Sequence, residues 1–319
     1  MRRLTNDLEA YFWLSLSADG RTLVARQQRI NAHLWLLPEG DLKKARQLTF
    51  GSRTLDVYVG LAWRPDGQII FSSRSGETTD LYSLDPEIGE RTQLTANAGT
   101  DNTWPTVSPD GQHIVFVSSR TGTRAIWRMD TDGRNTKQLT PGDERPDFAY
   151  AAATSPDGEE VFFIKAGGGP SAIWKTSIEG ENEVPVSSLT HATAESFISI
   201  SPDGKWLAYQ HVSDDQRNRS EDGSVRIGVI APDGSAEPMY FDAPLRRPVV
   251  QWTSGEAFDY AAGSFNASSL WRQELNGKAT KLLDFPDRIF NFAWSGDGRN
   301  LVVSRGRLQG DAILITNLP

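Results

Sequence analysis

The sequence predicts an all-β fold: a seven-bladed β-propeller of four-stranded antiparallel blades, one domain over residues 1–319. Three observations carry that expectation. A turn tetrapeptide recurs seven times. Every copy is flanked by short segments rich in branched and aromatic residues, with no helical period between them. The two chain ends also carry complementary parts of one repeat.

The turn reads SPDG at 108–111, 155–158 and 201–204, with variants SADG at 17–20, RPDG at 64–67 and SGDG at 295–298, and a worn TSG at 253–255. The final glycines, Gly20, Gly67, Gly111, Gly158, Gly204, Gly255 and Gly298, lie 43 to 51 residues apart. Proline presets φ, aspartate accepts from nearby amides, and glycine supplies a positive φ. Each turn leads into an apolar second strand, as in Ile114-Val115-Phe116, Val161-Phe162-Phe163 and Leu301-Val302-Val303. A loop follows, then a third strand holding Trp35, Tyr82, Trp127, Trp174 or Trp271. These aromatics are expected to pack blade against blade. A further turn leads to a short fourth strand ending in Leu-Thr, at 48–49, 94–95, 139–140 and 189–190. Four strands per repeat, repeated seven times, is the signature of a propeller.

The ends fit this pattern. The last repeat stops after Ile313-Leu314-Ile315-Thr316, and the chain begins with Arg2-Arg3-Leu4-Thr5. Residues 2–5 are therefore expected to supply the outer strand of the last blade, closing the ring and removing an exposed edge.

Composition excludes several classes of function. The net charge is −8, without the basic footprint of a nucleic-acid binder. No run approaches the ~18 apolar residues of a membrane span, so no membrane insertion is expected. There is no cysteine, hence no disulfide framework and no thiolate metal site. The four histidines, His33, His113, His191 and His211, share no short metal-binding spacing. No GxSxG elbow is present, and no cofactor and no catalytic residues are expected. The GGGPS stretch at 167–171 reads as a hairpin loop and the polar insertion at 212–223 as an exposed one.

The loops after each Leu-Thr lead to the innermost strands and rim one mouth of the central channel. Acidic residues recur there: Glu9, Asp56, Asp101, Asp147, Glu195 and Asp287. Trp104 is among the nearby aromatics, and Arg145, Arg246, Arg247 and Arg288 supply a basic sector. Converging loops would form an acidic, aromatic-lined mouth for a cationic or amphipathic ligand or a protein loop. The alternative is that these acids are solvated or hold turns.

The repeat resembles the TolB-like (WD-repeat-like) propellers: Leu-Thr, loop, aromatic, SPDG, apolar strand, then Ile-Trp and an Asp-Gly turn. More narrowly, residues 3–23 and 287–317 resemble the C-terminal propeller of bacterial serine/threonine kinases of the Acidobacteria type. That resemblance implies a non-catalytic, extracytoplasmic sensor module preceded by a kinase domain and a membrane helix. The chain contains no GxGxxG loop or HRD motif of its own. A free-standing protein-interaction scaffold is the main rival, and an accessory propeller of a lyase or hydrolase is the other. The sequence does not give the oligomeric state.

Overall fold

The computed structural model describes residues 10–51, 55–96, 98–141, 151–165, 172–186, 197–211, 225–243, 249–263 and 267–316. Its smallest recurring device is the turn. At Ser108-Pro109-Asp110-Gly111 the serine hydroxyl donates to Asp110 Oδ1 at 2.5 Å and accepts from the His113 amide at 2.9 Å. Asp110 also accepts from the Gln112 amide at 3.0 Å, while Gly111 sits at φ 70°. The same bonds recur at Ser155–Asp157, Ser201–Asp203, Ser295–Asp297 and Ser17–Asp19. The turn therefore satisfies its own polar groups, which is why the motif survives in repeat after repeat.

The Leu-Thr ending has an equally local cause. The fourth strand departs early, leaving an amide of the third strand unpaired. The threonine hydroxyl accepts that amide: Leu34 onto Thr49 at 3.0 Å, Leu81 onto Thr95 at 2.9 Å and Ile126 onto Thr140 at 3.0 Å. The leucines Leu48 and Leu139 are buried beneath.

Five complete sheets follow in chain order. The first holds β4 (Leu55–Trp63), β5 (Ile69–Ser75), β6 (Thr78–Leu84) and β7 (Arg91–Gln93), and a single parallel pairing, Ala32↔Leu55, joins it to β2 (Thr22–Pro38). Next come β8 (Asn102–Val107), β9 (His113–Ser118), β10 (Ala125–Asp130) and β11 (Lys137–Gln138). The third sheet holds β12 (Ala152–Thr154), β13 (Glu160–Lys165), β14 (Ala172–Ser177) and β15 (Val184–Pro185). The fourth holds β16 (Ile198–Ile200), β17 (Leu207–His211), β18 (Val225–Ile230) and β19 (Met239–Ala243). The fifth holds β20 (Val250–Trp252), β21 (Ala257–Gly263), β22 (Ser268–Glu274) and β23 (Thr280–Phe285).

The sixth blade is built from both chain ends, and it corrects the expected blade count. β2 (Thr22–Pro38) and β25 (Asn300–Thr316) do not fold back at their midpoints. They pair antiparallel along all 17 residues, from Thr22↔Thr316 to Pro38↔Asn300. β24 (Arg288–Trp294), the first half of β25, the second half of β2 and β3 (Arg46–Gln47) form one four-stranded blade. The remaining halves, with β1 (Ala10–Leu16), form a three-stranded ribbon in the order β1-β2-β25. Among the described residues the ring thus has six blades rather than seven. Its six innermost strands, β4, β8, β12, β16, β20 and β24, pack each against the next, and β24 returns to β4. Six apolar clusters fill the six blade-to-blade interfaces. Residues 2–5, expected to close the last blade, lie outside the described residues.

The closing blade has a packing reason to draw on both ends. Trp35 pairs with Val303 and lies under the Arg305 guanidinium, 3.9 Å from carbon to ring centre. Other blades repeat this: Arg91 over Tyr82 at 3.6 Å, Lys165 over Trp174 at 4.6 Å, Arg120 over Trp127 at 4.7 Å. The last repeat has no aromatic of its own there, since its third strand carries Leu314. Pairing β25 with β2 supplies one.

Removing a threonine hydroxyl that ends a fourth strand should strand a buried amide. Thr95→Ala and Thr140→Ala are each expected to cost about 1–3 kcal/mol in denaturant unfolding; a change near zero would contradict this role. Acid should act on the turns. Asp110, Asp157 and Asp203 are held below the usual carboxylate range, first by the serine hydroxyl and further by backbone amides. Their contribution is complete above the unfolded-state value of about 3.9 and is lost as pH falls through the lower folded values. The unfolding midpoint should therefore drop below roughly pH 4, and less steeply in a Ser108→Ala, Ser155→Ala, Ser201→Ala triple variant.

Candidate functional site: the central channel and its mouth

Six innermost strands converge on an axial channel of about 370 Å³. Every blade contributes wall, from Gly60–Trp63 on β4 to Asn291–Trp294 on β24. Small residues such as Ala62 and Ala151–Ala153 let the strands approach the axis, and four tryptophans fill space between them.

Three of those indoles tie the wall together. Trp63 Nε1 donates to the Ala293 carbonyl at 2.9 Å, joining β4 to β24. Trp252 Nε1 donates to the Ser199 carbonyl at 3.2 Å, joining β20 to β16. Trp294 Nε1 donates to Asp259 Oδ2 at 2.9 Å, and Asp259 is fully buried and paired with Arg272 at 2.8 Å. Gln251 links β20 to β24 in both directions, accepting from the Trp294 amide and donating to the Trp294 carbonyl. Thr154 donates to the Val107 carbonyl at 3.3 Å between β12 and β8.

The fourth tryptophan, Trp104, is different. It sits where the β8–β9 register shifts between Thr103 and Thr106, with φ at 53° in the left-handed region. Such a conformation is costly for a bulky residue and persists only where neighbours enforce it. Here the neighbour is Gly60, at φ 114°. A Cβ on Gly60 would lie 2.4 Å from Pro105 Cδ and 2.7 Å from Trp104 Cα. The glycine thus allows β4 and β8 to touch backbone to side chain. Trp104 remains partly exposed on the channel wall and packs against the clusters of the blades that follow.

The strand starts define the mouth opposite the SPDG turns. Asp101 precedes β8 and Asp287 precedes β24, and both carboxylates are engaged by arginines. Asp101 is bonded to Arg124, on the loop between β9 and β10. Asp287 is bonded to Arg307 at 3.1 Å. Arg288 lies over Phe290 at 5.1 Å. The two acids are therefore charge-balanced by arginines; Trp104 lines the channel, whereas Asp101, Asp287 and Arg288 are not among its lining residues. Asp56 is the second residue of β4, opposite Ser73. Glu9, Arg145, Asp147, Glu195, Arg246 and Arg247 lie outside the described residues.

Sequence reasoning missed Trp63, Trp252, Trp294, Gln251 and Gly60. A signal was present for three of them: a tryptophan stands immediately before the turn in the RPDG, TSG and SGDG repeats. His191 lies outside the described residues. His33 is in β2, His113 opens β9 and His211 ends β17, and no group of three or more metal-ligating side chains occurs among the described residues.

Residues 52–240 match the TolB β-propeller domain, well over half of the chain. The chain belongs to the TolB β-propeller family. An uncharacterized protein of Agrobacterium fabrum is 40% identical over 79 residues, which is 24% of this chain and 27% of that relative. The similarity thus spans about a quarter of the relative's length. Among solved structures, a putative TolB from Agrobacterium tumefaciens superposes with a TM-score of 0.61 at 18% identity, over 87% of this chain and 98% of that one. TolB from Acinetobacter baumannii gives 0.59 at 18% identity, over 89% of this chain and 66% of its own. At these identities the likeness is one of fold. No helix among the described residues is long and apolar enough to cross a membrane.

Gly60→Ala tests the wall. The added methyl group has no room, and the backbone there is unfavourable for alanine, so a loss of about 1–3 kcal/mol is expected. Thermal unfolding measures it, and an unchanged melting temperature would show that β4 and β8 can separate at no cost.

Proposed function

We propose that the chain is a non-catalytic binding propeller that takes a protein segment or small ligand at the mouth of its channel. Trp104 carries the reading. The indole N–H groups of the other three channel tryptophans are committed to the wall. Trp104 instead presents an aromatic surface at the wall, on a backbone held in a strained conformation by the close approach of β4. An observed backbone outlier in a concave, rigid site is a sound starting point for a functional assignment. The rim groups Asp56, Asp101, Asp287 and Arg288 surround it in this reading, together with Glu9, Arg145, Asp147, Glu195, Arg246 and Arg247 on the loops. The net charge of −8 favours a cationic or amphipathic partner.

Membership of the TolB β-propeller family supports a protein-binding role outside the cytoplasm. The resemblance of residues 3–23 and 287–317 to kinase-linked propellers extends this to a sensor module of a larger signalling protein. There, ligand at the mouth would shift association between propellers and so act on an upstream kinase.

A ligand that binds only the folded state adds about 2.7 kcal/mol at one hundred times its Kd. Screening cationic peptides and amphipathic small molecules by thermal shift should therefore find stabilisers, and Trp104→Ala should weaken them at least about tenfold while the unliganded protein stays folded. Equal affinity in the folded variant would move the site away from the mouth. A partner captured without any small-molecule shift, and unaffected by Trp104→Ala, would favour a scaffold that binds across a face.

A further inference from the structure

A second cavity, of about 350 Å³, opens at the end of the ring that carries the SPDG turns, in the seam between the third and fourth sheets. Its size is that of a small-ligand site. Its wall combines two chemistries. Pro156 and Phe162 on one side and Ile200 and Pro232 on the other are apolar. Asp157, Asp203 and Asp233 stand around them on three exposed turns. Each of these carboxyls is held below the usual carboxylate range, first by a serine hydroxyl of its own turn, Ser155, Ser201 or Ser235. All three are therefore charged at neutral pH.

The preceding repeat shows what such a seam holds. Between the second and third sheets, Arg128 Nη2 donates to both oxygens of Glu179, at 2.7 and 2.8 Å, and Lys137 Nζ donates to Glu179 at 2.7 Å. Strand register fixes the equivalent positions one repeat on. Arg128 pairs with Val115 and Lys137, and Lys175 pairs with Phe162 and Val184. Arg128 thus corresponds to Lys175, and Lys137 to Val184. The Gly180 amide donates to the Ser177 carbonyl and the Gly234 amide to the Ala231 carbonyl, so Glu179 corresponds to Asp233. The acid is retained, but neither cation reaches it. Val184 has no charge, and Lys175 donates instead to Glu160 of its own sheet at 2.7 Å, where the preceding repeat has His113. Among the described residues Asp233 bonds only within its own turn, to Ser235. The cavity is lined by both Lys175 and Asp233.

We propose that this seam binds the guanidinium of an arginine side chain carried by a segment of a partner protein. The partner's arginine takes the place that Arg128 takes in the preceding seam. A guanidinium is planar and weakly hydrated, so its faces pack on proline and phenylalanine rings while its N–H groups reach carboxylates in pairs. The compact, strongly hydrated ammonium of lysine makes less use of an apolar wall. Four carboxylates, those of Asp157, Glu160, Asp203 and Asp233, face one ammonium, that of Lys175, on the wall. This balance attracts a cation and disfavours free arginine, whose α-carboxylate adds a negative charge. The seam lies at the opposite end of the ring from the proposed mouth and does not depend on it.

The probe is the peptide acetyl-Gly-Arg-Gly-amide, with citrulline in place of arginine as the neutral control. Titrated into the full chain and followed by amide chemical shifts, the arginine peptide should move the signals of Glu160, Asp233 and Gly234 saturably. The citrulline peptide and free arginine should each bind at least about tenfold more weakly. Asp233→Asn, on an exposed turn, should weaken the arginine peptide at least about tenfold. Val184→Lys restores the cation of the preceding repeat and should close the seam to the same extent with every carboxylate in place, whereas Val184→Gln should change affinity by less than about twofold. Trp104→Ala should leave this binding unchanged. Equal binding of the two peptides, or an affinity indifferent to both Asp233→Asn and Val184→Lys, would overturn the proposal. Free arginine binding as tightly as the peptide would overturn the protein-borne source. Shifts confined to the channel mouth and lost in Trp104→Ala would overturn this site and leave the mouth reading standing.

Discussion

The pairing of β2 with β25 is the constraint on which the rest of the architecture depends. A propeller is a ring of sheets, each covered on both faces by its neighbours, so one missing interface exposes two apolar surfaces. Five blades arise from consecutive strands. The sixth exists only because residues 32–38 and 300–306 find one another across nearly the whole chain. Their union places Leu37 and Val303 against Ala261 and Leu270 on one side, and Leu34 and Val302 against Ile69 and Phe71 on the other. Without it, neither the channel wall nor the Trp63 and Gln251 links to β24 could form.

Within that ring, local and long-range interactions divide the work. Turns and strand endings are satisfied by residues a few positions away, through Ser–Asp pairs and threonine hydroxyls. Contacts between blades are apolar, supplemented by cations lying on third-strand aromatics and by a few charge clamps. Glu179 is an example of the last. Lys137 and Arg128 of the preceding blade both donate to it, at 2.7 Å each, and pull its carboxyl down to about 2. Glu179 is half exposed, so the clamp fixes orientation more than it adds stability.

The legibility of the sequence follows this division. The SPDG turns, the Leu-Thr endings and the packing of Trp35, Tyr82, Trp127, Trp174 and Trp271 could be read directly, because each is decided within one repeat. The number of blades could not. Each repeat is expected to carry a loop between its second and third strands, which in the last repeat falls between Leu301-Val302-Val303 and Ile313-Leu314-Ile315. In the structure Gly306 sits mid-strand, where a Cβ would lie 1.8 Å from the Asn31 carbonyl. The glycine answers to a residue 275 positions away, and no local rule reports that. The mouth divides in the same way. Asp101 and Asp287 could be named from their loops, but Arg124, on the β9–β10 loop, and Arg307, within β25, which pair with them, could not. The role of Gly60 depends on Trp104 and Pro105 of the next blade.

The closing strands also give the molecule a mechanical polarity. Thr22 and Thr316 are partners at the far tip of the ribbon, so a tension that drew these two residues apart would load the β2–β25 ladder from one end. Bonds in such a ladder fail one pair at a time rather than together. The ribbon pairs, Thr22↔Thr316 through Asn31↔Arg307, would open before any ring pair carried load. The ribbon would act as a fuse in series with the ring, and the channel would keep its shape until that fuse was spent.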